Sequence, residues 1–367
     1  MRSGFTTGSC SAAGAKAAAY MLLSGKKLDK ISIVTPAGIK YEPELTAVEI
    51  SESQVSCGVY KDSGDDPDVT NGALILAKVW CDNYSEERVD SVVTIHGGKG
   101  VGVVTKPGLD QKVGEAAINS VPRSMIENEI LEVARFFDYH GDWHVEISVP
   151  NGEELAKETF NGRLGIEGGI SILGTSGIVE PMSQAALIAT IKLDIHQQAI
   201  LGSDGLVISP GNYGRDFLKN TLHYDIDRSV KCSNFIGDTL DIAVDEGFER
   251  LVLVGHIGKL VKVAGGMMNT HSKEGDCRME ILSSVFIKHG GSLSGAKDIL
   301  NQVSTEEAVK VIEREGLLGE CMDEVVERIC SYMKKRVNGR LDIDVIVFSN
   351  ELGILGKSKG ADRWFTL

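Results

Sequence analysis

The chain has 367 residues, 42% hydrophobic and 25% charged, an ordinary balance for a globular protein. At about 150 residues per domain it has room for two domains, with cores that need neither disulfides nor a structural metal. Acidic residues outnumber basic ones by 52 to 38, a net charge of −14, which disfavours nucleic acid and anionic membranes as partners because bulk repulsion opposes approach.

In chain order, a helix is expected to begin at residues 7–9, where Thr7 and Ser9 can cap open N–H groups, and to run to residue 24. Its Ala-rich part, 11–23, is no signal peptide: Lys16 interrupts it and no cleavage site follows. Strands are expected at 30–34, 39–50 and 54–60, then a helix at 69–81. A strand at 91–96, a glycine-rich turn and a strand at 102–105 follow. Met125, Ile126, Ile130, Val133, Ala134 and Phe137 recur at helical spacing and predict a helix over 122–139. A strand at 145–149 closes a mixed α+β domain over 1–150, with its boundary in 151–162.

From residue 169 the pattern becomes buried run, glycine turn, helix. It occurs at 170–177, at 206–214 and at 251–258. That predicts a Rossmann-like α/β domain over 151–367 with a mainly parallel sheet, and ligands at the carboxyl ends of its strands. Helices are expected at 183–201, 305–315 and 321–337. A late strand at 343–348 could join either sheet.

Gly97-Gly-Lys-Gly-Val-Gly102 is not a dinucleotide fingerprint, because no helix follows it. It reads as a tight hairpin, or as a backbone nest in which Lys99 and Lys106 receive a carboxylate or phosphate. The segment 353–358 is two residues short of a P-loop. Asp65, Asp66 and Asp68 lack the EF-hand spacing; they read as helix N-caps or as a base lining a site. His140 and His144 flank a turn, and no metal site is expected. The seven cysteines are odd in number and scattered, which points to reduced thiols and the cytoplasm.

Gly174-Thr175-Ser176-Gly177, Gly211-Asn212-Tyr-Gly214 and Gly255-His256-Ile-Gly258 are expected to line a cofactor crevice on one sheet edge. Without the spaced glycines and downstream acid, a nicotinamide cofactor is disfavoured. Asn269-Thr270-His271 reads as a capped loop or a substrate-facing one.

Together several segments resemble the CbiD family of anaerobic cobalamin biosynthesis, the cobalt-precorrin-5B C1-methyltransferases. They are Gly4-Phe-Thr-Thr-Gly-Ser-Cys, Lys61-Asp-Ser-Gly-Asp-Asp-Pro-Asp-Val-Thr-Asn71, Gly97-Gly-Lys-Gly-Val-Gly, Gly174-Thr-Ser-Gly-Ile-Val-Glu, Pro210-Gly-Asn-Tyr-Gly214 and Gly255-His-Ile-Gly-Lys-Leu260 with Asn269-Thr-His-Ser272. The resemblance spans nearly the whole chain, in order. Ser9, where the family more often has Thr, keeps the hydroxyl.

The resemblance implies S-adenosylmethionine as methyl donor, a cobalt-bearing corrinoid as substrate, methylation at its C-1 and no protein-bound metal. It assigns no catalytic residue. An electron-rich macrocycle carbon needs no protein nucleophile, so alignment of two ligands carries the chemistry. The corrinoid's carboxylates call for local cations, and Lys99, Lys106, Arg123, Lys259 and Lys262 are the candidates, with Thr6, Thr7, Asn269 and Thr270 beside them. Asp65, Asp66, Glu180 or His271 could accept a proton. The glycine turns are expected to hold the donor and the N-terminal domain the corrinoid. A homo-oligomer and transient contact with neighbouring pathway enzymes are compatible with this reading. A non-catalytic corrinoid carrier is the alternative.

Overall fold

The N-terminal helix forms where its caps predict. After a short strand β1 (Gly4–Phe5), Thr6 Oγ1 accepts the Ser9 N–H at 3.2 Å and opens α1 (Thr7–Ser24), which ends at Gly25 in the left-handed region, φ 65°. The computed structural model describes residues 1–82, 84, 91–159, 161–181 and 183–365. They fall into two compact units, Met1–Ser183 and Gln184–Leu367.

In the first unit, β2 (Ile33–Val34) and β3 (Lys40–Tyr41) form a small ribbon. The main sheet is built from β4 (Thr46–Ile50), β5 (Gln54–Tyr60), β6 (Leu74–Asp82) and β7 (Val93–Gly97). After β8 (Val103–Val104) and α2 (Ser120–Phe136), β9 (Asp142–Ser148) completes it in the order β4-β5-β6-β9-β7. Val55, Cys57, Ile75, Ala77, Val79, Trp143, Val145 and Ile147 alternate along three strands and bury one face. α1 lies on that face, and small residues set the approach: a Cβ on Gly14 would sit 3.3 Å from Ala77 Cβ. α2 packs on α1 through Met125, Ile126, Ile130, Val133 and Ala134. Lys16, which interrupts the apolar run of α1, pairs with Glu129 of α2 at 2.7 Å.

Residues 69–81 are not helical. β6 occupies most of that stretch, and its alternate residues Ile75, Ala77 and Val79 are buried. Leu74 and Leu76 on the opposite side lie over Gly58, so both faces are apolar and the period of two is hidden. With no helix there, Asp66 and Asp68 cap none; Asp68 pairs with Lys61 at 2.5 Å. The 97–102 segment is not a hairpin either. β7 runs parallel beside β9, whereas β8 pairs with β10 (Ile166–Glu167), which follows the short helices α3 (Gly152–Ala156) and α4 (Asn161–Leu164).

The boundary lies later than 151–162 because the next residues pack with the first unit. Val101 bridges Ile170, Ile118 bridges Ile172, and β11 (Ile178–Val179) pairs with β1. The 170–173 run is therefore no strand of the second sheet.

The second unit opens with α5 (Gln184–Ile200), β12 (Leu206–Ser209) and α6 (Asn212–Asn220). β13 (Ser229–Lys231), α7 (Ile236–Asp245), β14 (Arg250–His256) and α8 (Ile257–Ala264) continue the alternation. Four helices follow: α9 (Arg278–Lys288), α10 (Leu293–Leu300), α11 (Thr305–Arg314) and α12 (Leu318–Arg336). They lead to β15 (Asp342–Ser349) and β16 (Gly353–Lys357).

The late strand joins this sheet, whose order is β13-β12-β14-β15-β16. All neighbours are parallel except the edge pair β15–β16. Alternate strand residues divide between two cores. Leu206, Ile208, Leu251, Leu253, Ile343, Val345 and Val347 meet the large helical layer. Val207, Val252, Val254, Ile346 and Phe348 meet Phe217 and Leu218 of α6 and the C-terminal residues Ala361 and Phe365. Both faces are thus covered, which is why these strands read as continuous apolar runs. No helix among the described residues is long and apolar enough to cross a membrane.

Asp344, 3% exposed in β15, fastens the C-terminus by accepting from Ser358 Oγ, Trp364 Nε1 and Arg363. Burial pushes its pKa up, but these donors outweigh burial and hold it below the ordinary value. The stabilisation is then fully present above about pH 4 and fades as pH falls through the folded value. Asp344→Asn is expected to cost about 2 kcal/mol at neutral pH. In urea unfolding, the gap to the wild type should shrink below about pH 4.

Candidate functional site

Each unit brings together residues singled out in the sequence. In the first, three distant motifs meet at the start of α1. Phe5 N–H donates to Asp62 O, Thr6 N–H to Gly177 O, and Gly8 N–H to Leu173 O. Thr7 Oγ1 accepts the Leu173 N–H at 2.9 Å, and Ser9 Oγ donates to Gly177 O at 2.7 Å. A Cβ on Gly174, φ 138°, would overlap Thr6 Oγ1. Thr6 and Thr7 are buried and engaged in holding the 173–177 turn. That turn is therefore in the first unit and not on the parallel sheet edge; two glycine turns lie on that edge, not three.

The 61–71 segment closes on the same place. Lys61, 3% exposed, donates to Ser63 Oγ and pairs with Asp68. Arg2 pairs with Asp62 and holds its carboxyl at about 2. Asp65 Oδ2 accepts the Arg2 N–H at 2.6 Å. Asp66 donates its N–H to Ser63 O. Thr175 and Glu180 are exposed, and Ser176 hydrogen-bonds within its own turn. Lys99 is exposed, and Lys106 Nζ donates to Arg163 O. Arg123 donates to the carbonyls of Ile118, Ile95 and Ala116, so its guanidinium fixes a loop. His140 lies against Asp138, whereas His144 stacks on Trp80 and His96.

In the second unit the carboxyl edge of the parallel sheet gathers the other motifs. The chain leaves β12 through α6 to one side and reaches β14 on the other, so strand order reverses between β12 and β14. The 209–214 turn and the 255–258 turn flank that reversal, the place where sheets of this topology bind ligands. Gly211 opens α6 with φ 87°, and no side chain caps that helix. His256 caps α8: its Nδ1 accepts the Gly258 N–H at 3.1 Å. The other ring nitrogen, Nε2, lies 2.7 Å from Glu306 Oε1, which also accepts the Asn350 N–H at 3.0 Å. Burial pushes the Glu306 carboxyl up, but Asn350, Ser349 and His256 hold it below its ordinary value. One carboxylate thus ties together the ends of β14 and β15 and the start of α11.

Lys262 is buried and donates to Gly275 O at 2.8 Å and to Thr270 O. Thr270 Oγ1 meets Asn234 Oδ1 at 3.1 Å, and Asn269 Oδ1 accepts the His271 N–H. Lys262, Asn269 and Thr270 therefore shape the 269–275 loop. His271 Nδ1 accepts the Lys273 N–H, and its ring is half-buried. Lys259 is half-buried beside Gly211. Among the described residues, no three His, Cys, Asp or Glu side chains converge as a metal site.

Glu306 and Asn350 escaped the sequence reading. Glu306 has the pattern of an ordinary first-turn acid: Ser304 caps α11 and Glu306 and Glu307 follow. Only its meeting with His256, 50 residues away, distinguishes it.

An α+β unit followed by a unit with a mainly parallel sheet and glycine turns at its carboxyl edge has the construction of an α/β protein that binds ligands at that edge. The CbiD family model matches residues 1–181, and the model for the CbiD C-terminal domain matches 269–359. A Cobalt-precorrin-5B C(1)-methyltransferase of Ruminiclostridium cellulolyticum is 44% identical over 95% of this chain and 89% of its own length. The protein of the same name from Methanocaldococcus jannaschii is 40% identical over 96% of this chain and 95% of its own. A crystal structure of cobalamin biosynthesis protein (cbiD) from Archaeoglobus fulgidus shows 32% identity over 72% of this chain and 80% of that one, with a TM-score of 0.38. The chain belongs to the CbiD family.

Glu306→Ala removes the acceptor of both the His256 ring and the Asn350 N–H. It is expected to cost about 2 kcal/mol in urea unfolding. Glu306→Gln, which keeps one acceptor oxygen, should lose less; equal stability of Glu306→Ala and wild type would show that the tie contributes nothing.

Proposed function

We propose that this chain methylates C-1 of cobalt-precorrin-5B with S-adenosylmethionine, giving cobalt-precorrin-6A in anaerobic cobalamin biosynthesis. The observation that carries this reading is its similarity to relatives of that name over nearly their whole length. On this reading the second unit is Rossmann-like and holds the donor between the 209–214 and 255–258 turns. The first unit supplies corrinoid surface, with exposed Lys99 available to a side-chain carboxylate. Seven free cysteines suit a reaction in the reducing cytoplasm.

The residues present fit a donor of this kind. The open start of α6 and the half-buried ammonium of Lys259 offer donors to a zwitterionic ligand. Bound S-adenosylmethionine supplies a methyl group on a positive sulfur, which the macrocycle carbon takes in line as the carbon–sulfur bond breaks. The chain's contribution is alignment, and a rigid sheet edge suits that task. The His256–Glu306–Asn350 tie holds the 255–258 turn at fixed height. A proton released from the ring can pass to a half-buried or exposed group; His271, Asp65, Asp66 and Glu180 are the available acceptors.

A single-turnover assay tests this reading. Anaerobically prepared cobalt-precorrin-5B and methyl-labelled S-adenosylmethionine are mixed with the full chain. Label is expected at C-1, at one methyl per macrocycle. Binding of both ligands with no transfer would instead favour a corrinoid carrier.

A further inference from the structure

We propose that the carboxyl edge between β12 and β14 contains a carboxylate subsite, formed by Lys259, Lys231 and the uncapped first turn of α6. The subsite rests on the methyltransferase reading and names what one end of a ligand must carry. The first observation is Lys259 itself. It is half-buried, and no hydrogen-bond or ion-pair partner lies within reach among the described residues. Burial lowers its pKa, and the neighbouring ammoniums of Lys231 and Lys262 push it further down, whereas Cys232 acts the other way. A partly buried ammonium beside two others favours an anion as its partner.

The second observation is the geometry in front of that ammonium. A Cβ built on Gly211 would lie 3.5 Å from Lys259 Nζ, with no other atom outside the adjoining residues within 4 Å. Glycine, at φ 87°, leaves this space open, and the first turn of α6, which no side chain caps, begins at the next residue. Lys231 flanks the same turn: its Nζ donates to Asn212 Oδ1 at 2.8 Å, on the first residue of α6.

The third is Ser209, the last residue of β12. Its hydroxyl is wholly buried and has no hydrogen-bond partner. It sits beneath the first turn of α6, 3.3 Å from where a Cβ on Gly214 would be. An unsatisfied buried hydroxyl at the strand end makes the floor beneath this turn polar.

A carboxylate matches this set: one negative group, with two oxygens that accept from an ammonium and from helix N–H groups together. On the reading above it has two sources, the α-carboxylate of the methyl donor and an acetate or propionate of the macrocycle. Calorimetry on the full chain distinguishes them with four probes. These are S-adenosylhomocysteine and its decarboxylated analogue, and a cobalt corrinoid with free acetate and propionate side chains and its fully esterified form.

Lys259→Met is expected to weaken one carboxylate-bearing probe about tenfold or more and to leave its carboxylate-free counterpart unchanged. Lys259→Arg should retain most of the affinity. A loss confined to the homocysteine pair assigns the subsite to the donor; a loss confined to the corrinoid pair assigns it to the substrate. Matching thermal unfolding of the variants shows that folding is intact. Wild-type binding of both acidic probes, with equal binding by Lys259→Met, overturns the subsite alone. A wild type that binds neither probe overturns the subsite together with the reading beneath it.

Discussion

The parallel pairing of β14 with β15 is the constraint on which the second unit depends. It joins seven residue pairs, from Arg250–Asp342 to His256–Phe348, across the five helices α8 to α12 that separate the strands. Such a long closure is entropically costly and holds only because both strands bury their apolar residues on two faces. Once formed, it places Asn350 and the start of α11 beside His256. It also completes the edge on which the glycine turns stand. The C-terminal residues lock this arrangement through Asp344, in the same strand.

The first unit rests on a different device. α1 is almost entirely small and buried, and it serves as a core element between the sheet and α2. Its first turn then becomes the anchor for segments more than a hundred residues apart, 61–71 and 173–179. The hydroxyls of Thr6, Thr7 and Ser9 satisfy backbone groups that would otherwise be buried without partners. The order of sequence motifs there reflects construction as much as chemistry.

Electrostatics divides the units further. Over the chain as a whole the surplus is acidic. Several cations meet a carboxylate nearby: Lys16 meets Glu129, Lys61 meets Asp68 and Arg336 meets Asp241. Half-buried Lys259 does not, and it lies at the reversal of strand order, where α/β sheets bind ligands. Buried Lys262 differs again, because carbonyl oxygens surround its ammonium and fix a loop.

Local pattern decided much of this protein. Period, caps and glycine turns placed α1, α2, α5, β12, β14, α11 and α12, because those signals act within a few residues. Long motifs placed the chain in its family, because their residue identities do not depend on knowing the fold. Tertiary structure decided the rest. β6 is a strand because α1 on one side and Gly58 on the other both receive apolar side chains, a fact no local period reveals. The 170–177 segment belongs to the first unit because its partners are Val101, Ile118 and the start of α1. Glu306 meets His256, and Lys259 faces Gly211, only after β14, β15 and α6 have taken their places. Backbone conformation is set mainly by near neighbours; the partner of a strand or a charge is set by whatever the whole chain brings within a few ångströms.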